Sequence, residues 1–173
     1  MRHTSFADQR CSLARSLDLI GEWWTLLIVR EAFFGTRRFG EFQAQLGIAP
    51  NVLTQRLHKL VDGGVLAVTQ TSQNGKALEY RLTDKGRDLY PVIVALVQWG
   101  DRHEAWPDGP PVALQDRASG QPLPRMQPRA ADGRVLGPAD VQVVAGPGAS
   151  AADRERLQAV HARRQARSSG THT

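Results

Sequence analysis

One cysteine, Cys11, serves the whole 173-residue chain. A single thiol excludes an internal disulfide framework and any metal site built from several protein thiolates. Long apolar runs are missing as well: none approaches the ~18 residues that a membrane-crossing helix requires. The opening MRHTSFADQRCSLARS has charge and polarity where a secretory signal carries its apolar stretch. A cytoplasmic protein with no membrane association is expected. Catalytic devices are also scarce, with no Gly-rich phosphate loop and no serine elbow. The histidines His3, His58, His103, His161 and His172 show no i, i+4 pairing and no carboxylate set at ligand spacing. Neither an enzyme, a metal site nor a cofactor is expected.

Proline is scarce only in one region. Between Cys11 and Trp106 there are Pro50 and Pro91, whereas residues 107 to 148 hold the other eight together with six glycines. Such a shift in composition marks a boundary. The expected division is a first domain over residues 1–106, a Pro/Gly-rich appendage over 107–148, and a basic, flexible tail over 149–173. The charge balance of 22 − 17, or +5, points weakly towards polyanions and also serves solubility.

Periodicity organises the first domain. Leu13, Leu17 and Ile20 are spaced i, i+4, i+7, and a strongly apolar helix begins after Gly21 and ends at Gly35. Phe39, Phe42 and Leu46 mark a short third helix that Gly47 breaks. Pro50 then suits the first turn of a fourth helix, where its missing N–H would have had no partner. That helix carries Leu53, Leu57 and Leu60 and stops at Gly63-Gly64. Val65–Thr69 and Leu78–Leu82 read as strands joined through Asn74-Gly75, a dipeptide that tolerates hairpin geometry. Thr83 is placed to cap a last helix with the stripe Leu89, Ile93, Leu96 and Val97, bent by the internal Pro91.

Three helices, a tight glycine turn and a hairpin describe a winged helix-turn-helix. The fold class expected is therefore mainly α with a β-hairpin wing, plus a small Pro/Gly-rich C-terminal β appendage. A protruding helix enters the major groove, about 12 Å wide, if one face anchors it and the other offers short polar groups to base edges. Residues 50 to 61 meet that demand: Leu53, Leu57 and Leu60 share one side, while Asn51, Gln55 and His58 share the other, flanked by Thr54 and Lys59. Asn and Gln can pair bidentately with adenine, and Thr can touch a thymine methyl. A polar helical face alone more often means only solvation. Arg37, Arg38 and the hairpin-tip Lys76 change the balance, because they put cations where a winged helix meets phosphates. Double-stranded DNA is the expected partner.

An ordered series of motifs carries a family resemblance. Cys11-Ser-Leu-Ala-Arg, Leu17-Asp-Leu-Ile-Gly21, Trp24-Thr-Leu-Leu-Ile-Val-Arg30, Arg38-Phe39-Gly-Glu41-Phe42, Gly47-Ile48 and Leu53-Thr54-Gln-Arg56-Leu57 come first. Gly63-Gly64-Val65, Tyr80-Arg-Leu-Thr83, Gly86 and Trp99-Gly100 follow. Residues 11 to about 104 thus resemble the HxlR-type winged-helix transcriptional regulators of bacteria, within the wider MarR-related group. The resemblance implies a DNA-binding homodimer, paired through its first and last helices, that represses or activates nearby genes in response to a small molecule or a redox signal. Ala49 departs from the serine often found before the recognition helix, which weakens that helix's cap.

Three features admit two readings each. The stripes Leu13, Leu17, Ile20 and Leu89, Ile93, Leu96 form a dimer seam or cover one another within a monomer. Cys11 is a redox sensor, as in some members of that family, favoured by Arg10 and Arg15 and by a helix N-terminus, or it is a small buried filler. The appendage resembles a small β module that in some relatives holds zinc through paired cysteines, which Met126 to Gly133 lack; the other reading is a partly ordered linker. The runner-up function is a winged-helix protein-interaction module that does not read DNA.

Overall fold

A computed structural model describes Phe6 and residues 9–70, 78–104 and 106–169. Among the described residues nine elements follow in order: α1 (Ser12–Ile20), α2 (Trp23–Phe33), α3 (Phe39–Leu46), α4 (Pro50–Asp62), β1 (Leu66–Gln70), β2 (Leu78–Leu82), α5 (Asp84–Arg87), α6 (Tyr90–His103) and α7 (Ala151–Ser169). The architecture is a mainly helical winged helix-turn-helix with a two-stranded antiparallel hairpin.

The core collects the apolar positions that periodicity singles out. Ile28 and Val29 of α2, Phe42 of α3, and Leu53, Leu57 and Leu60 of α4 are all fully buried, with Val65, Leu66, Tyr80 and Ile93 packed among them. Phe42 and Tyr80 meet edge to face with ring centroids 6.4 Å apart, a preferred aromatic geometry. Gly47 closes α3 at φ 62°, the left-handed region glycine tolerates, and Pro50 opens α4 in its first turn.

Two local expectations need correction. The first strand starts at Leu66 rather than Val65, because Val65 is used to leave α4. Its N–H donates to Leu60 O at 2.8 Å and its carbonyl accepts from Thr83 at 3.1 Å. The strands then pair Leu66 with Leu82 and Val68 with Tyr80. The last helix is also not one bent helix but two. Thr83 caps α5, accepting from Gly86 N at 3.1 Å while its hydroxyl donates to Gly64 O at 2.6 Å. Gly86 is required there, since a Cβ would lie 2.2 Å from Val65 O. Pro91 sits in the first turn of α6 and starts that helix without bending it.

Contacts divide the chain after Met126, not at Pro107. The reason is Gln98 of α6, whose side-chain amide donates to Pro124 O at 3.0 Å and accepts from Met126 N at 2.7 Å. Residues 107–126 therefore belong to the first unit, Met1–Met126. The strand-like pieces expected between 107 and 148 are reduced to two isolated bridges, Gln115 with Pro122 and Arg129 with Val135. In the second unit, Gln127–Thr173, the expected flexible tail contains the helix α7.

Candidate nucleic-acid interface

The recognition helix α4 presents two contrasting sides. Leu53, Leu57 and Leu60 have no exposure at all, while Asn51, Thr54, Gln55 and His58 are exposed and Lys59 is half-buried. The Thr54 hydroxyl donates to Pro50 O at 2.8 Å, so to a base it offers its methyl group and an acceptor lone pair.

Arg37 and Arg38 are both exposed in the segment leading into α3. That segment is held from two directions. Glu41 reaches back so that its carboxylate accepts the backbone N–H groups of Arg37 and Arg38, each at 3.0 Å. These two bonds, Arg37's first, hold the Glu41 carboxyl below its ordinary range, and the Arg38 charge adds to the effect. From the other side Tyr80 N donates to Arg37 O at 2.8 Å, tying the segment to β2. Arg38 also lies 3.9 Å from Glu79, which pairs with Arg81 at 2.8 Å. Glu79 is mostly covered while the two arginines are exposed, so their guanidinium groups reach solvent. Lys76, at the expected hairpin tip with Asn74-Gly75, lies outside the described residues.

Sequence reasoning missed the ties that position α4. Arg56, on the same helix, faces inward and pairs with Glu22 at 2.9 Å, joining α4 to the start of α2. Lys85 donates to Gly63 O at 2.7 Å, where α4 leaves a carbonyl without an intrahelical partner. A signal existed for Arg56, because it falls between the leucine side and the polar side when residues are placed around the helix.

The expected seam residues separate into two groups. Ile20 and Ile93 are buried within the single chain, and the partly buried Leu89 packs against its core, so these three contribute to its own packing. Leu13, Leu17 and Leu96 remain exposed, at 67%, 42% and 48%, together with Trp23 at 88% and Trp99 at 51%. The reading in which α1 and α6 cover one another fails on these exposures. Cys11 is the N-cap of α1 and is exposed on the single chain. Among the described residues no group of three or more His, Cys, Asp or Glu is placed to hold a metal ion, and no helix is long and apolar enough to cross a membrane.

Comparison with known proteins agrees with this geometry. The HxlR-like helix-turn-helix family model matches residues 19–106. An uncharacterized HTH-type transcriptional regulator of Mycobacterium tuberculosis is 48% identical over 110 residues, 64% of this chain and 70% of the relative. The crystal structure of PA1607, a candidate transcription factor, superposes with a TM-score of 0.76 at 50% identity, covering 82% of this chain and 99% of that one. This likeness reaches beyond the residues of the family model, so it includes part of the C-terminal region. The redox regulator HypR in its reduced form is more distant, with a TM-score of 0.51 and 28% identity over 54% of this chain and 94% of its own. With more than half of its length matched, and with a polar recognition helix seated on a leucine core, the chain belongs to the HxlR-like helix-turn-helix family of DNA-binding transcriptional regulators.

Proposed function

We propose that the protein works as a homodimer that reads a specific operator. The observation that carries this is the exposed row Asn51, Gln55 and His58 on a helix whose opposite side is completely buried. Such a helix is fixed in space and offers bidentate donors and acceptors to base edges. Arg37 and Arg38, ahead of α3, anchor phosphates, with Thr54 and Lys59 at the flanks of the reading row, and Lys76 is read from the sequence as a further phosphate contact. The dimer seam uses Leu13 and Leu17 of α1 with Leu96 and Trp99 of α6, and Trp23 at the start of α2 is exposed as well; exposed apolar side chains in such number mark association. Leu19 of α1 approaches Gly63 at the end of α4 so closely that a Cβ there would lie 2.3 Å from Leu19 Cδ1. The seam helix and the recognition helix are therefore in direct contact, and dimer geometry sets the spacing of the two recognition helices, about 34 Å or a multiple for adjacent major grooves.

The test is a salt titration of binding to random duplex beside protection mapping on DNA flanking the gene. Affinity for random duplex should fall steeply with salt, and the protected site should be an inverted repeat. Salt-independent binding, or no protection, would favour the protein-interaction module.

A second reading rests on the exposure of Cys11 and on the redox regulator among the structural neighbours. Two Cys11 thiols from two copies would join in a disulfide, passing two electrons and two protons to an oxidant such as diamide. A diamide-treated protein should run as a covalent dimer without reductant and Cys11→Ser should not; a wild-type protein that stays monomeric on such a gel would end this reading.

A further inference from the structure

Away from the base-reading side of α4, a cleft of about 310 Å³ opens between the end of α2 and the base of the wing. That size is at the lower end for small-molecule pockets. Its lining is unusual in charge. Arg37, Arg81 and Arg87 all contribute to it, no carboxylate does, and Phe33, Tyr80 and Leu82 supply apolar surface between them.

The counterions of the three arginines are unequal. Arg81 is paired with Glu79 at 2.8 Å, and Arg87 is paired with Asp84. Arg37 has no ion-pair partner among the described residues. Among the described residues the three lining arginines thus have two carboxylate partners, Glu79 and Asp84, and Glu79 is shared with Arg38, which leaves the lining at least one positive charge in excess. Arg87 is also held in place, since it donates to Leu82 O at 2.8 Å, and a guanidinium has five N–H donors, so others are left for a ligand. Anchored guanidinium beside aromatic surface suits a monoanion with an apolar body.

We propose that this cleft binds a small organic monocarboxylate, aryl or short alkyl, with its apolar body against Phe33 and Tyr80 and its carboxylate held by Arg37 and Arg87. The regulatory consequence rests on the DNA-reading function proposed above. Arg37 cannot serve a ligand carboxylate and a DNA phosphate equally well at once, so the ligand weakens DNA binding and DNA weakens ligand binding by the same factor. A second route leads to the seam: Phe33 of the cleft contacts Tyr90, the first residue of α6, with ring centroids 5.1 Å apart.

Calorimetric titration of the full chain with benzoate and with hexanoate, without DNA, tests the site. At least one should bind below about 10 mM, and benzamide, the neutral counterpart of benzoate, should bind roughly tenfold or more weakly. Arg87→Gln should reduce carboxylate affinity by a similar factor while leaving random-duplex binding without ligand unchanged. Saturating carboxylate should lower DNA affinity of the wild type. No binding of either acid, equal binding of benzamide, or equal binding of inorganic phosphate would overturn the proposal, and none of these outcomes depends on a variant folding. Salt-dependent DNA binding with no carboxylate binding removes the site and leaves the DNA-reading function standing. Carboxylate binding without DNA binding does the reverse.

Discussion

The helices α4 and α7 both carry exposed polar side chains, yet they are held by different physics. In α4, Leu53, Leu57 and Leu60 are fully buried, so the orientation of Asn51, Gln55 and His58 follows from the core. In α7 no residue with a described side chain is buried; Leu157 and Val160 are only half-covered. Its start is fixed by a local cap, in which Ser150 Oγ and the Asp153 carboxylate bond at 2.7 Å and Ser150 N donates to Asp153 at 2.8 Å. Further along, the His161 ring meets Val143 O at 2.7 Å. A helix seated on a core can present side chains at a defined angle, whereas one held by a cap and a single mid-helix contact presents charge. Only the first is suited to base recognition.

The largest expected effect removes the seat of α4. Leu57→Ala should destabilise the first unit by ~2–5 kcal/mol in chemical denaturation, and Leu157→Ala in α7 should lower stability by less than about 1 kcal/mol. Equal losses would erase the contrast. Next comes pairing of two recognition helices. Leu17→Asp or Leu96→Asp should dissociate the proposed dimer with helicity retained, while Ile93→Asp should unfold the chain because it places a carboxylate in the core. Light scattering with circular dichroism separates these, and a folded Leu17→Asp protein that stays dimeric would move the seam elsewhere.

Readout is a smaller effect. Gln55→Ala should weaken a cognate operator by ~1–3 kcal/mol and random duplex hardly at all, whereas any effect of Arg163→Ala in α7 should be equal on both. Smaller still is a single phosphate contact: Lys76→Ala should reduce the slope of log affinity against log salt by about one unit per subunit. An unchanged slope would place the wing off the backbone.

The last prediction concerns the cap that orients Arg37 and Arg38. Glu41 has a folded value below its ordinary one, set first by the Arg37 N–H and then by that of Arg38. Its stabilising contribution is therefore complete above the ordinary carboxylate range and disappears as the pH falls through the lowered value. Thermal melts between neutral and acid pH should show a flatter decline for Glu41→Gln than for the wild type. Identical slopes would mean that the cap is not maintained in solution.

Much of this was legible from residue order alone. The leucine spacing of α4, Gly47 and Pro50 around its turn, and the alternation of Leu78–Leu82 each report a local backbone preference, which short-range chemistry controls. Elements misread in the sequence depend on distant partners. Pro91 lies within an apolar stripe and reads as a bend until the approach of Gly86 to Val65 O shows the chain turning between two helices.

The sequence by itself determined the succession of helices and hairpin, the two sides of the recognition helix and the kinship, because these follow from periodicity and motif order along the chain. Tertiary structure alone decided that Ile20 and Ile93 are buried within the chain while Leu13, Leu17 and Leu96 stay exposed, and that Arg56 turns inward to Glu22. It also gathered Arg37, Arg81 and Arg87 around one cleft. Burial and charge pairing depend on which surfaces meet across tens of residues, and no local preference encodes that meeting.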